Sequence, residues 1–160
     1  MSAKDDVVEI INRTALIENL LNQVIEQYCR PAREAFPLFW NVMLDSSIIT
    51  LGAKIKVAMA ISQEMKVKLN NDALHKLLAY RNAFAHHKVD SHPTLCVGKN
   101  SSEDELHFML YIITSTGKIQ EKRRDVARRE FDDIFLLAKD SLLNLLKEVR
   151  ISTHQKEIKP

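Results

Sequence analysis

Apolar residues recur at helical spacing along most of this chain, and a single stretch breaks that rhythm. Val8, Ile11, Ala15, Leu16, Leu20, Val24, Ile25 and Tyr28 follow the three-to-four-residue step of a long amphipathic helix. Asp5 and Asp6 precede that run, where acids favour the positive end of a helix dipole, and Pro31 closes it. "PLFWNVML" fits a short helix with Pro37 in its first turn. Asp45, Ser46 and Ser47 then offer a new N-cap for "IITLGAKIKVAMAISQEM", with Leu51, Ile55, Ala58, Met59 and Ser62 on one face. Gly52 inside it costs about 1 kcal/mol relative to alanine, which points to close contact with another helix. Asn70, Asn71 and Asp72 cap a further helix, which should stop near Lys88 because Ser91-His92-Pro93 cannot continue it.

The rhythm then changes. "TLCVG", "LHFMLYIITS" and "GKIQEKRRDV" alternate like strands, with Ser115-Thr116-Gly117 as a hairpin turn and "KNSSEDE" as a polar loop. From about Arg128 the helical step returns, carrying Phe131, Ile134, Phe135, Ala138, Leu142, Leu145, Leu146 and Val149 on one face. The expected architecture is mainly α: a bundle of four or five helices, with a small antiparallel β insertion at about 94–125 before the last helix. One domain spans 1–150, and 151–160 is a polar, frayed tail.

Composition narrows the function classes. At 160 residues the chain can bury a core without staples, and 46% hydrophobic with 28% charged residues is a soluble globular profile. A net charge of +2 excludes a uniformly basic nucleic-acid coat, so any such binding must be local. Cys29 and Cys96 make neither a zinc spacing nor a disulfide framework, and fit reduced thiols of a cytoplasmic protein. The beginning "MSAKDDVVEI" is not a secretory signal, and no run reaches the roughly 18 apolar residues of a membrane span. His75, His92, His107 and His154 lack ligand spacing with cysteines or acids, so no metal is expected. There is no glycine-rich phosphate loop, and no cofactor is called for.

The fourth helical segment, "LLAYRNAFAHHKVD", holds the candidate chemistry. On a helical wheel with Leu74 at zero, Leu77, Leu78, Phe84 and Ala85 form an apolar arc, and Arg81 falls inside it at about 340°. A guanidinium keeps its charge and cannot be left unpaired in a dry core. Arg81 therefore needs a buried carboxylate, a partner chain or an anionic ligand. Glu18, Asp45 and Glu64 are the acids available for the first option. Asn82 and His86 share the adjacent face, four residues apart, while His87 lies on another face and reads as surface.

Arg81-Asn82-Ala83-Phe84-Ala85-His86 resembles the defining motif of the HEPN superfamily, an arginine, usually followed by a polar residue, with four to six intervening positions before a histidine; here four residues intervene. The resemblance covers about 5–90 and 126–148 and leaves the β insertion outside. It implies a helical bundle that acts as a metal-independent endoribonuclease. Such proteins are often toxins, antiphage effectors or CRISPR-associated nucleases, and other members keep the fold without activity. It also implies a composite site at a homodimer, with Arg81, Asn82 and His86 contributed by each copy. An antitoxin or a neighbouring nucleotidyltransferase is a partner such a protein can have.

The residue types suit that chemistry. Metal-free RNA cleavage needs a base for the 2′-hydroxyl proton, an acid for the leaving 5′-oxygen and positive charge on the phosphorane. Histidine serves the first two roles near neutral pH, and an arginine fork serves the third. One chain supplies one His86; two copies supply two. A second basic feature, Lys118, Lys122, Arg123, Arg124, Arg128 and Arg129, falls within twelve residues. Lys122, Arg123, Arg124 and Arg128 are the RNA-binding candidates, and the same residues equally suit a charged edge that keeps a strand from aggregating. Glu121, Asp125 and Glu130 dilute the run. The alternative to the nuclease is a catalytically silent module on the same fold, binding a partner protein or a nucleotide.

Overall fold

The computed structural model describes residues 3–86, 94–96 and 105–157. Helix α1 runs Ala3–Cys29, and a short turn α2, Phe36–Leu38, continues into a π-helical turn, Phe39–Met43. Helices α3, Leu51–Glu64, and α4, Asn71–His86, follow. Strands β1, Thr94–Cys96, and β2, Glu105–His107, pair antiparallel; β3, Met109–Ile113, pairs antiparallel with β4, Ile119–Arg123. Helix α5, Arg124–Glu157, ends the described chain. The protein is thus mainly helical, with the antiparallel strands before the last helix.

Local chemistry sets the helix ends. Asp5 and Asp6 sit in the first turn of α1. Arg30 leaves it with φ 49, the left-handed conformation that stops a helix, and Pro31 follows. Lys66, φ 55, ends α3 in the same way, with the Val67 amide donating to the Ser62 carbonyl at 2.9 Å. Thr50 caps α3 by accepting from the Ala53 amide, and Asn70 caps α4 by accepting from the Ala73 amide. The expected cap at Asp45-Ser46-Ser47 is used differently: Asp45 Oδ1 accepts from the Ser47 amide and hydroxyl and closes a turn before the helix. Gly117, φ 79, makes the β3–β4 turn. A Cβ on Gly52 would meet Leu78 Cδ2 at 3.4 Å, the close α3–α4 approach that its glycine suggested.

Helix α5 packs along α1 and α4 through Phe131, Phe135, Ala138, Leu142, Leu145, Leu146 and Val149, all buried. Its start differs from expectation. Helix begins at Arg124 rather than about Arg128, because the Arg124 amide is bonded to the Phe108 carbonyl at 2.8 Å and Asp125 occupies the first turn. The strand expected to reach Val126 accordingly stops at Arg123. Helix also continues past 150 into the stretch expected to fray.

Two faces were misplaced by periodicity. In α1 the core residues are Ile10, Thr14, Ile17, Leu21, Val24 and Ile25, whereas Val8, Ile11, Leu16 and Tyr28 are exposed. Both sets recur at helical spacing, and only packing against α3, α4 and α5 selects between them. In α4 the buried arc is Ala73, Leu74, Leu77, Tyr80 and Phe84, with Leu78 and Ala85 half-buried. The arc's centre therefore lies at about 290° on the same wheel, and Arg81, at about 340°, stands within it between Leu77 and Leu74 yet is only half-buried. The stop near Lys88, His87, and all of "KNSSEDE" except Glu105 lie outside the described residues.

Candidate functional site

Arg81 and Asn82 line a cleft of about 520 Å³ between α1, the segment entering α3, and α4. The small side of Ala15 and the absent side chain of Gly52 help to open it. Thr14, Glu18, Ser46 and Thr50 add polar groups to its walls. Arg81 Nη1 donates to Asn82 Oδ1 at 3.1 Å. No carboxylate among the described residues lies within ion-pair distance of Arg81. Glu18, the acid in its own cleft, is committed elsewhere: Lys54 Nζ donates to Glu18 Oε1 at 2.5 Å, and Ser46 Oγ donates to the same oxygen. Asp45 is engaged by Ser47.

His86 is exposed and is the last described residue of α4. It does not line the Arg81 cleft. It lies five helical steps on from Arg81, about 7.5 Å along the axis and about 140° around it. Within one chain the structure therefore brings Arg81 and Asn82 together and leaves His86 apart.

The basic run is heavily paired. Arg128 joins Glu9 at 2.6 Å, Asp6 at 3.7 Å and Asp132, and Arg13 links Glu9 and Asp132 into the same α1–α5 network. The Arg128 hydrogen bond holds the Glu9 carboxyl below its usual range, ahead of the opposing effect of burial. Arg124 reaches Asp6 at 3.4 Å and lies over the Phe84 ring at 5.2 Å. Arg123 grips Asp125 through two bonds of 3.1 and 3.2 Å, and Arg129 shares that acid at 3.3 Å. Lys122 donates to Glu130 at 2.5 Å and to the Tyr80 hydroxyl at 3.0 Å. Lys118 is exposed at the hairpin turn. Four candidate RNA contacts thus spend charge on internal acids, and they form no open cationic surface.

Periodicity also passed over groups that the fold brings together. Tyr80 donates to Glu130, and with Lys122 these form a polar triad in a second cleft, about 560 Å³, between α4, the β3–β4 hairpin and α5. Burial pushes the Tyr80 hydroxyl up, and the Glu130 carboxylate adds to it. Burial alone would raise Glu130, but the Lys122 and Tyr80 hydrogen bonds hold its carboxyl down. Lys54, 1% exposed, is buried beneath Glu18. A third cleft, about 340 Å³, borders the first and holds Trp40, Asn41, Asn19, Asn22, Asp45 and Lys54. Lys54 carries a sequence signal, a lysine one step from the apolar stripe of α3; Trp40 and the asparagines carry none. Among the described residues no three His, Cys, Asp or Glu side chains cluster as metal ligands, and no helix is long and apolar enough to cross a membrane. No family model, curated protein or solved structure matches the chain.

Proposed function

We propose that this chain is a metal-independent endoribonuclease of the HEPN type, with a HEPN-like bundle, acting as a homodimer in a toxin or antiphage role. The observation that carries the reading is Arg81. Lys122, Arg123, Arg124, Arg128 and Arg129 are tied to carboxylates, whereas Arg81 faces a cleft with only the neutral amide of Asn82 as its bonded partner among the described residues. A cation kept that way suits an external anion, and a guanidinium fork suits a phosphate. Asn82 Oδ1 fixes one edge of the fork, and the Asn82 amide nitrogen remains for a phosphate oxygen. His86 stands away from Arg81 on its own chain, so a partner's helix end completes the constellation. One imidazole takes the 2′-hydroxyl proton as the 2′-oxygen attacks phosphorus; the second gives a proton to the departing 5′-oxygen. Arg81 stabilises the charge that builds on the phosphorane between those events.

The test is RNA cleavage in the presence of a chelator, with light scattering on the same preparation. Wild type should run as a dimer and leave a 2′,3′-cyclic phosphate and a 5′-hydroxyl. His86→Ala and Arg81→Ala should each be inactive yet folded. A monomer that cleaves, or His86→Ala cleaving as wild type does, rejects the composite site. A second reading, a catalytically silent module that binds a partner protein or nucleotide, draws on the carboxylate of Glu18 inside the Arg81 cleft and on the distance of His86 from it. It expects intact RNA with every variant.

A further inference from the structure

The cleft beside Arg81 has a composition that a phosphate-binding site does not need. It is small, about 340 Å³, at the low end of small-molecule sites, which run from about 300 to 1,000 Å³. Its walls hold three side-chain amides, Asn19, Asn22 and Asn41, one indole, Trp40, and the carboxylate of Asp45. Lys54 and Glu18 neutralise each other at its border. The remaining charge is therefore negative, which repels phosphate and suits a neutral group rich in donors. Asn22 Oδ1 is buried behind the wall and has no hydrogen-bond partner. Both bonds to Asp45 fall on Oδ1, leaving Oδ2 to accept from a ligand. Trp40 and Asn41 are carried by the π-helical turn Phe39–Met43, a local irregularity that is frequent at functional sites.

This cleft and the Arg81 cleft meet at Ala15, Glu18 and Ser46. We infer that the pair binds one nucleotide, its phosphate at Arg81 and its base beside Trp40, and that Asp45 selects bases bearing an exocyclic amine. Phe36 stacks on Trp40 with ring centroids 6.1 Å apart, so the base takes the opposite indole face; such a face holds any base by stacking, and amides and a carboxylate read its edge. A carboxylate accepts from the amine of cytosine. Uracil presents a carbonyl oxygen at that position, and two acceptors facing each other repel. The inference rests on the nuclease reading only for what it does to the bound nucleotide; base preference and cleavage are separate measurements.

Trp40 is the chain's one tryptophan, so indole fluorescence reports this cleft directly. Cytidine and uridine monophosphates, as 3′ and 5′ isomers, are titrated into the full chain with excitation at the red edge of the indole band. Cytidine monophosphate should quench saturably and bind about tenfold more tightly than uridine monophosphate, the discrimination of one charge-assisted hydrogen bond. Asp45→Asn keeps the Oδ1 acceptor of the Ser47 turn and gains a donor, so the preference should fall to about one or invert. Asn41→Ala, at an exposed position, should weaken both ligands, and Arg81→Ala should weaken the nucleotides but not the free nucleosides. Equal quenching by the two nucleotides, or a preference unmoved in folded Asp45→Asn, overturns the assignment. RNA cleavage without any quenching removes the base site and leaves the nuclease standing. Quenching with the expected preference but no cleavage removes the nuclease and leaves a nucleotide-binding module.

Discussion

Glu18 and Arg81 line the same cleft, yet losing one should destabilise a fold that losing the other leaves nearly unchanged. Lys54 is 1% exposed, and its ammonium donates to Glu18 Oε1 at 2.5 Å. Glu18→Ala strands that ammonium in the interior. Breaking a buried pair by removing one partner costs about 3–5 kcal/mol. The Glu18 side chain is itself 20% exposed, so cleft water reaches its position after truncation, and the lower end of the range, about 3 kcal/mol, applies. In a chain of this length that lowers the melting temperature by about 6–12 °C. Lys54→Met keeps the buried stem and removes the charge. It leaves Glu18 partly solvated and still accepting from Ser46, and should cost about 1 kcal/mol. The two variants must be coupled: the double variant should recover about 2 kcal/mol relative to the sum of the singles. Urea midpoints followed by far-ultraviolet circular dichroism measure all three, since Trp40 fluorescence is too close to the change. Additive single and double variants, or a Glu18→Ala midpoint within the error of wild type, would refute the claim that Glu18 carries the buried charge of Lys54.

Two further predictions follow. Arg81→Ala should cost less than about 1 kcal/mol of stability by urea unfolding, because Arg81 is half-buried at a cleft edge and loses a single bond to Asn82; a loss of about 3 kcal/mol or more, the cost of stranding a buried carboxylate, would instead make it structural. Stability should form a plateau against pH. Glu9 and Glu130 have lowered folded values, so their contribution is complete above the ordinary glutamate value of 4.5 and drains away as pH falls below it. Tyr80 and Lys122 have raised values, so theirs holds below about pH 10 and is lost as pH climbs past the ordinary 10.0 and 10.5. In Lys122 burial opposes the rise, and the Glu130 and Tyr80 hydrogen bonds prevail over it. Glu130→Gln should flatten both limbs in a pH series of urea midpoints; an unchanged profile would mean the triad contributes nothing.

The helices were legible because each has a one-dimensional signature. The α5 stripe from Phe131 to Val149 is correct residue by residue, save that Ile134 is half-buried, because a single apolar face leaves no choice. Asn70 and Pro31 mark boundaries through local bonds and local geometry, which sequence displays directly. Thr50 was missed because Asp45, Ser46 and Ser47 are equally good caps, and the choice depends on where the chain turns after the π-helical segment. The start of α5 was missed for a related reason. "EKRRDV" alternates like a strand, and only the tertiary bond from Arg124 to the Phe108 carbonyl shows where the strand gives way.

The candidate site was legible in its charged residues and illegible in its partners. Arg81 was conspicuous because its pattern asks for an apolar residue, but no spacing says that Lys54, on another helix, takes Glu18 away from it. The basic run shows the same limit from the other side: Asp125, Glu130 and Asp132 pair with it from α5 itself, but Asp6 and Glu9 reach Arg124 and Arg128 only once α1 lies along α5. The misreading of α1 has a different origin. That helix carries more apolar surface than one chain buries, with Val8, Ile11 and Leu16 left 58%, 41% and 57% exposed. Ile11 lines the Arg81 cleft. Full burial of one such side chain contributes about 1.5–3 kcal/mol, so two or three on one face are a large sum to leave in water. In the proposed homodimer a second copy laid against this face would cover it. On that reading the surplus of apolar residues in α1 and the single histidine of the α4 motif would share one cause, a site that two chains build together.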